Sequence, residues 1–190
     1  MEQIEDLTIM IGARAAQRRA AAGLSLDDLA ERTGVSRAMI SRIERGEVNA
    51  SAVVLDRLCD GLGMTLSELF AKADDASPLL RFADQPVWRD PDSGYIRRSV
   101  SPPRSGSAVK IAEVEFPART EVRLMPSDRR TIDQHIWCLE GEMEITVGGA
   151  AHQLRKGDCL HMRPDAGIRF ANRSDRPARY AVIIISENRP

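Results

Sequence analysis

The sequence predicts a two-domain α+β protein, an N-terminal bundle of five short helices followed by a C-terminal antiparallel β-barrel. Three observations carry this. Apolar residues recur at helical spacing between residues 5 and 70, short β-rich runs follow from residue 87, and the polar, turn-rich stretch KADDASP lies between them. The expected division is therefore 1–72 for the helical domain, 73–86 for a linker and 87–190 for the β domain.

In the first helix Ile11 and Ala15 share an apolar face. The second, SLDDLAERTG, opens on Ser25, a good N-cap, with Asp27 and Asp28 in the first turn where the helix dipole favours acids. Leu26, Leu29 and Ala30 share its buried face, and Gly34 ends it. Ser36 caps the third helix, whose stripe is Met39, Ile40 and Ile43, with Gly46 as the stop. A fourth runs from Ser51 through Leu55, Leu58 and Leu62 to Gly63, and a short fifth, SELF, is expected to start at Ser67.

In the second half, VWRDPDSGYIRR reads as a hairpin around Asp90–Gly94. VKIAEVEF, TEVRLM, IWCLEGEMEITV, HQLRKGDCLHM and RYAVIII are short strands, punctuated by Pro117, Pro126, Gly141, Gly148, Gly149, Gly157 and Pro164. Regular turn signals of this kind predict an antiparallel sandwich or barrel.

The composition narrows the function classes. With 43% apolar and 29% charged residues the chain is an ordinary globular protein, and no apolar run approaches a membrane span, so no membrane partner is expected. The N-terminal MEQIEDLTIM is acidic, unlike a signal peptide, which makes the cytoplasm the expected compartment. Cys59, Cys138 and Cys159 are widely spaced with no C-x2-C pair, which points to reduced thiols rather than zinc. The formal net charge is −1, and residues 1–72 hold 9 Lys/Arg against 11 Asp/Glu. A case for nucleic acid must therefore rest on where the arginines stand.

They stand in a suggestive place. LSLDDLAERTGVSRAMISRIERGE joins two helices by a four-residue turn centred on Gly34, the geometry of a helix-turn-helix. Through its LA…GVS…ISRIERG…L…L skeleton, residues 8–70 resemble the Xre/Cro-type helix-turn-helix family. That resemblance implies double-stranded DNA as partner, with the helix from Arg37 to Arg45 in the major groove. With Ile40 and Ile43 facing the core, Arg37, Ala38, Ser41, Arg42 and Arg45 face outward. An arginine can grip guanine O6 and N7 with two bonds, worth about 1–3 kcal/mol against a wrong base, and Ala38 offers a methyl to a thymine. Carried over by position, the resemblance makes Arg37, Ala38 and Arg42 base readers. Arg45 and the helix starts at Ser25 and Ser36 become phosphate contacts, with Ser41 on the same face. Arg19 and Glu44 match a family ion pair, and Arg18 stands where the family usually has leucine, its head expected in solvent. One such domain covers few base pairs. The family therefore implies a homodimer on a palindromic operator, with half-sites roughly 34–36 Å apart.

The β half resembles the cupins (double-stranded β-helix barrels) over residues 107–190, clearest in LEG and GDCL. Cupins hold a metal through three histidines and a glutamate. The glutamate position here is Gln134, two histidine positions fall near Ser127 and Arg129 (or one residue later, at Arg130), and the last is Ile168. An amide, a guanidinium and an alkyl chain do not suit a divalent metal, so no metal and no cofactor are expected. His135, His152 and His161 lie outside the matched positions, and strand alternation puts His135 opposite Gln134. A pocket lined by Arg129, Gln134 and Ile168 suits a small organic molecule with a carboxylate or other acceptor. The alternative is a packed interior that serves dimerisation alone.

The expected function is a sequence-specific transcriptional regulator, not an enzyme, whose metal-free cupin dimerises the chain and senses a small-molecule effector. Two rivals remain: an epoxidase of the hydroxypropylphosphonate type, which pairs the same two domains around iron, and an antitoxin-like repressor with a protein partner.

Overall fold

The computed structural model describes residues 2–71, 77–102, 107–126, 132–163 and 166–186. Among the described residues five helices come first: α1 (Glu2–Ala21), α2 (Leu26–Thr33), α3 (Arg37–Glu44), α4 (Ala52–Leu62) and α5 (Leu66–Leu69). Ser25 and Asp28 form a reciprocal cap on α2, each backbone N–H donating to the other's side chain at 3.1 and 2.8 Å. The Ser25 hydroxyl, with the Ser25 N–H second, holds the Asp28 carboxyl below its ordinary range. Gly34 ends α2 in the left-handed region, and Ser36 accepts from the Met39 N–H at 3.3 Å to start α3. The turn is thus Gly34-Val35-Ser36, three residues rather than the expected four.

The fifth helix also differs from expectation. It starts at Leu66, because Thr65 and Glu68 form a second reciprocal cap two residues before Ser67. Ser51 occupies the N-cap of α4 but makes no side-chain bond to it. Asp90, from the β half, accepts the Ala52 N–H at 2.8 Å in its place.

Close approach sets how α1 and α3 pack. A Cβ on Gly12 would stand 2.2 Å from the Ile43 carbonyl oxygen, so the two backbones meet where only glycine fits. Arg14 fastens α1 to the end of α5, donating to the carbonyls of Glu68 at 2.8 Å, Leu69 at 3.3 Å and Ala71.

After a 3-10 turn at Phe82–Asp84 come ten strands among the described residues. One antiparallel sheet, in the order β1-β2-β3-β10-β5-β8, is built from β1 (Val87–Arg89), β2 (Ile96–Ser99), β3 (Val109–Phe116), β5 (Ile132–Glu140), β8 (Cys159–Met162) and β10 (Ala178–Ser186). The other, β4-β9-β6-β7, holds β4 (Thr120–Leu124), β6 (Glu142–Val147), β7 (Ala150–Arg155) and β9 (Ile168–Asn172). The expected antiparallel β-barrel therefore takes the form of two sheets, with no ladder joining them among the described residues. The physical reason is at the corners, where the chain passes from sheet to sheet. Gly141 alone separates β5 from β6, in the left-handed region and against Pro177, so the backbone turns too sharply for the ladder to continue.

The inner faces pack by strand alternation. Ala112, Val114 and Phe116 of β3, Ile136 and Cys138 of β5, and Tyr180, Val182 and Ile184 of β10 are buried. From the opposite sheet come Val122, Met143, Ile145, Ile168 and Phe170. A chain of rings then crosses the whole molecule, Phe70–Trp88–Tyr95–Phe116–Tyr180–Phe170, with successive centroids 5.4 to 6.3 Å apart. Phe70 follows α5 and Phe170 lies on β9, so the helices and the sheets share one apolar core.

Candidate functional site

Helix α3 exposes most of the side chains expected above to contact DNA. Ile40 and Ile43 are buried, which turns Arg37, Ala38, Arg42 and Arg45 of the α3 region outward, with Ser41 half-buried beside them. Arg42 makes no ion pair among the described residues. Arg37 Nε lies 3.2 Å from Asp27 Oδ1, both exposed. Arg45 is held more firmly. Its Nε and Nη2 donate to Glu47 at 2.5 and 2.9 Å, and its Nη1 donates to the Ser41 hydroxyl. Glu47 raises the Arg45 pKa above its ordinary value, and a phosphate there has to displace that carboxylate. Exposed pairs of this kind contribute little to stability, so the exchange is cheap. Ser25 and Ser36 stand exposed at the starts of α2 and α3, where the first helical N–H groups lie.

Behind this face the scaffold is fixed by a charge pair. Arg19 donates from Nε and Nη2 to the two carboxylate oxygens of Glu44 at 2.7 and 2.8 Å, and from Nη1 to the Leu24 carbonyl at 2.8 Å. Their side chains are only 19% and 9% exposed. The Glu44 carboxylate raises the Arg19 pKa above its ordinary value. Arg18, by contrast, is exposed.

A cavity of about 70 Å³ lies between the two sheets and reaches α4 and α5. Gln134 and Ile168, two of the three expected pocket residues, line it; Arg129 lies outside the described residues. An amide and an alkyl side chain at these positions do not fit a metal centre. His135 and His161 face the opposite side of the sheet, their rings 5.0 Å apart, and His152 is exposed on β7. Among the described residues no three His, Cys, Asp or Glu side chains are grouped to hold a metal.

Sequence reasoning missed the cavity's cation. Arg97, on β2, is 6% exposed and lines the cavity with Tyr95, Tyr180 and Asp56. It precedes the cupin-like motifs, so motif matching could not reach it. The signal available was the alternation in YIRRS, which places Tyr95 and Arg97 on one face.

The hairpin carrying Arg97 is also the joint between the halves. Trp88 Nε1 donates to Asn49 Oδ1 at 2.8 Å, Asn49 Nδ2 donates to the Arg89 carbonyl at 3.2 Å, and Asp90 caps α4. Residues 49 to 52 follow α3 and its stop at Gly46, so the hairpin is fastened to the base of the helix-turn-helix.

Comparison with known proteins agrees with this architecture. Residues 11–70 match the family described as a helix-turn-helix domain, and residues 113–184 the cupin domain. The chain is 22% identical over 181 residues, 95% of its length and 97% of the relative's, to the HTH-type transcriptional regulator SutR of Escherichia coli (strain K12). It is 36% identical over 69 residues, 36% of its length and 93% of the relative's, to the control protein C.MunI of a Mycoplasma species. The crystal structure of an HTH_3 family transcriptional regulator from Vibrio cholerae is similar with a TM-score of 0.78 and 24% identity, covering 97% of this chain and 99% of that one. At that identity the likeness shows the fold.

Proposed function

The chain belongs to the helix-turn-helix transcriptional regulators and carries a C-terminal cupin domain, and from that premise we propose that it reads a palindromic operator as a homodimer in the cytoplasm. The single observation behind the reading is the outward set Arg37, Ala38 and Arg42 on a helix whose Ile40 and Ile43 are buried. Arg37 and Arg42 grip base edges, Ala38 meets a thymine methyl, and Arg45, Ser41 and the helix starts at Ser25 and Ser36 meet phosphates. Residues 1–72 form the reading unit, 73–86 the connector and 87–190 the sensing and dimerising unit. The test is retention of sheared genomic DNA by the purified protein, followed by sequencing. Wild type is expected to retain a few palindromic sites, and Arg42→Ala to weaken them by about 1–3 kcal/mol, roughly five- to 150-fold. Enrichment left intact by Arg42→Ala would sink the groove-reading assignment.

The outer face of the six-stranded sheet supports dimerisation there. Val109 and Ile111 of β3, Ile185 of β10 and Trp137 of β5 are exposed on three adjacent strands, an apolar patch a lone chain has no reason to keep. Trp137→Arg is expected to turn a dimer into a monomer in sedimentation, with the fold retained because the side chain is 46% exposed. A dimer that survives both Trp137→Arg and Ile111→Lys places the interface elsewhere.

The β unit works without metal in this reading, since its cavity residues do not fit one, and it senses a small molecule. A ligand that prefers one arrangement of the two subunits changes the spacing of the reading heads.

A further inference from the structure

The cavity between the sheets contains a cation with an open donor. Arg97 projects inward from β2, opposite Val114, and Nη2 donates to the Ser67 hydroxyl of α5 at 2.7 Å. Nε is fully buried and has no hydrogen-bond partner. Among the described residues no carboxylate pairs with Arg97. A buried charge without a counter-ion is costly, and a buried N–H without an acceptor adds to that cost. Burial accordingly pushes the Arg97 pKa below its ordinary value, yet a guanidinium stays charged. The Nε–H is one half of the two-donor edge by which a guanidinium grips a carboxylate. Around it the wall is apolar: Val114, Phe170, Val182 and Ile184. Tyr95 and Tyr180 supply hydroxyls, and Asp56 is the one acid on the wall among the described residues. At about 70 Å³ the space holds roughly five to seven water-sized groups, which excludes large ligands.

The geometry points to a binding site for a compact monocarboxylate, its oxygens on Arg97 and its apolar remainder against Phe170 and Ile184. Because Arg97 also holds Ser67, the ligand's charge lands on the residue that ties the sheet to α5 of the reading unit. The proposal deepens the small-molecule reading above and rests on it.

The test uses the full chain and isobutyrate as probe, a carboxylate of about the right size, with isobutyramide as its neutral isostere and inorganic phosphate as an alternative anion. In an arginine 15N-labelled sample, isobutyrate is expected to move the Arg97 Nε–H resonance saturably at millimolar concentration. Isobutyramide, which lacks the charge, is expected to bind at least about tenfold more weakly. Phosphate, a dianion needing more donors than one guanidinium offers, is expected to be weaker too. Arg97→Met, which keeps the stem, is expected to abolish isobutyrate binding, and Arg97→Lys to restore part of it. The assignment is overturned if isobutyramide or phosphate binds as well as isobutyrate, if no saturable shift of Arg97 occurs, or if Arg97→Met binds like wild type. Should that variant not fold, the resonance shift in the wild-type chain decides alone. The genomic-DNA experiment separates the two readings. Operator recovery with no movement of Arg97 leaves the regulator standing and removes the carboxylate site; a moving Arg97 without operator recovery does the reverse.

Discussion

Trp88→Ala is expected to destabilise the folded chain by about 3–5 kcal/mol, the usual cost of emptying a buried aromatic site. Trp88 is among the largest fully buried side chains, and it touches both halves: its ring lies 5.4 Å from Phe70 and 5.6 Å from Tyr95, and its N–H donates to Asn49. Removing it leaves a cavity at the joint and an amide oxygen without its donor. The chain has two tryptophans, so the variant retains only Trp137, which lies on β5 and reports on the β half alone. Urea unfolding followed by helical circular dichroism and by tryptophan fluorescence should coincide in wild type, as one shared core requires, and separate in the variant, where Trp137 alone fluoresces. Coincident curves in the variant, with a loss below about 1 kcal/mol, would mean that the halves do not depend on this side chain for their docking.

Glu44→Ala is expected to cost about 3 kcal/mol, because it strands the Arg19 guanidinium with the Leu24 carbonyl as its one remaining partner among the described residues. The figure sits at the low end for a broken buried pair, since Arg19 keeps some contact with water. Arg19 joins α1, the loop before α2 and the last turn of α3, so its loss loosens the orientation of the reading helix as well as its stability. Thermal unfolding of Glu44→Ala, Arg19→Met and the double variant measures the pair. The double variant should be less damaged than the sum of the singles, since two apolar residues leave no stranded charge. Strict additivity would show that the two side chains act independently.

Much of the helical half was legible because its determinants are local. Ser25, Gly34 and Ser36 act within four residues of themselves, through cap hydrogen bonds and one left-handed backbone position. The start of α5 was misplaced for a related reason: Ser67 is a competent cap, but Thr65 has the acid three residues on that completes a reciprocal pair. In the β half the strands and the hairpin at Asp90–Gly94 follow from alternation and turn residues. Their assembly does not, because pairing β10 with both β3 and β5 depends on contacts far apart in the chain. Gln134 and Ile168 were placed in the cavity by a motif whose chemistry they no longer carry. Arg97 was invisible to that motif, and only the finished packing shows that β2 turns it inward.

The hairpin from Val87 to Ser99 carries a lesson for protein engineering. By sequence it belongs to the β half, yet Asp90 completes the first turn of α4, Trp88 fills a gap beside Phe70, and Arg97 reaches α5. A chimera that fused this reading head to a foreign sensor at residue 86 would deprive the head of part of its own interior. Interchangeable modules of this protein have to be cut after Ser99, with the hairpin travelling with the head, or the recipient sensor must bring an equivalent hairpin of its own.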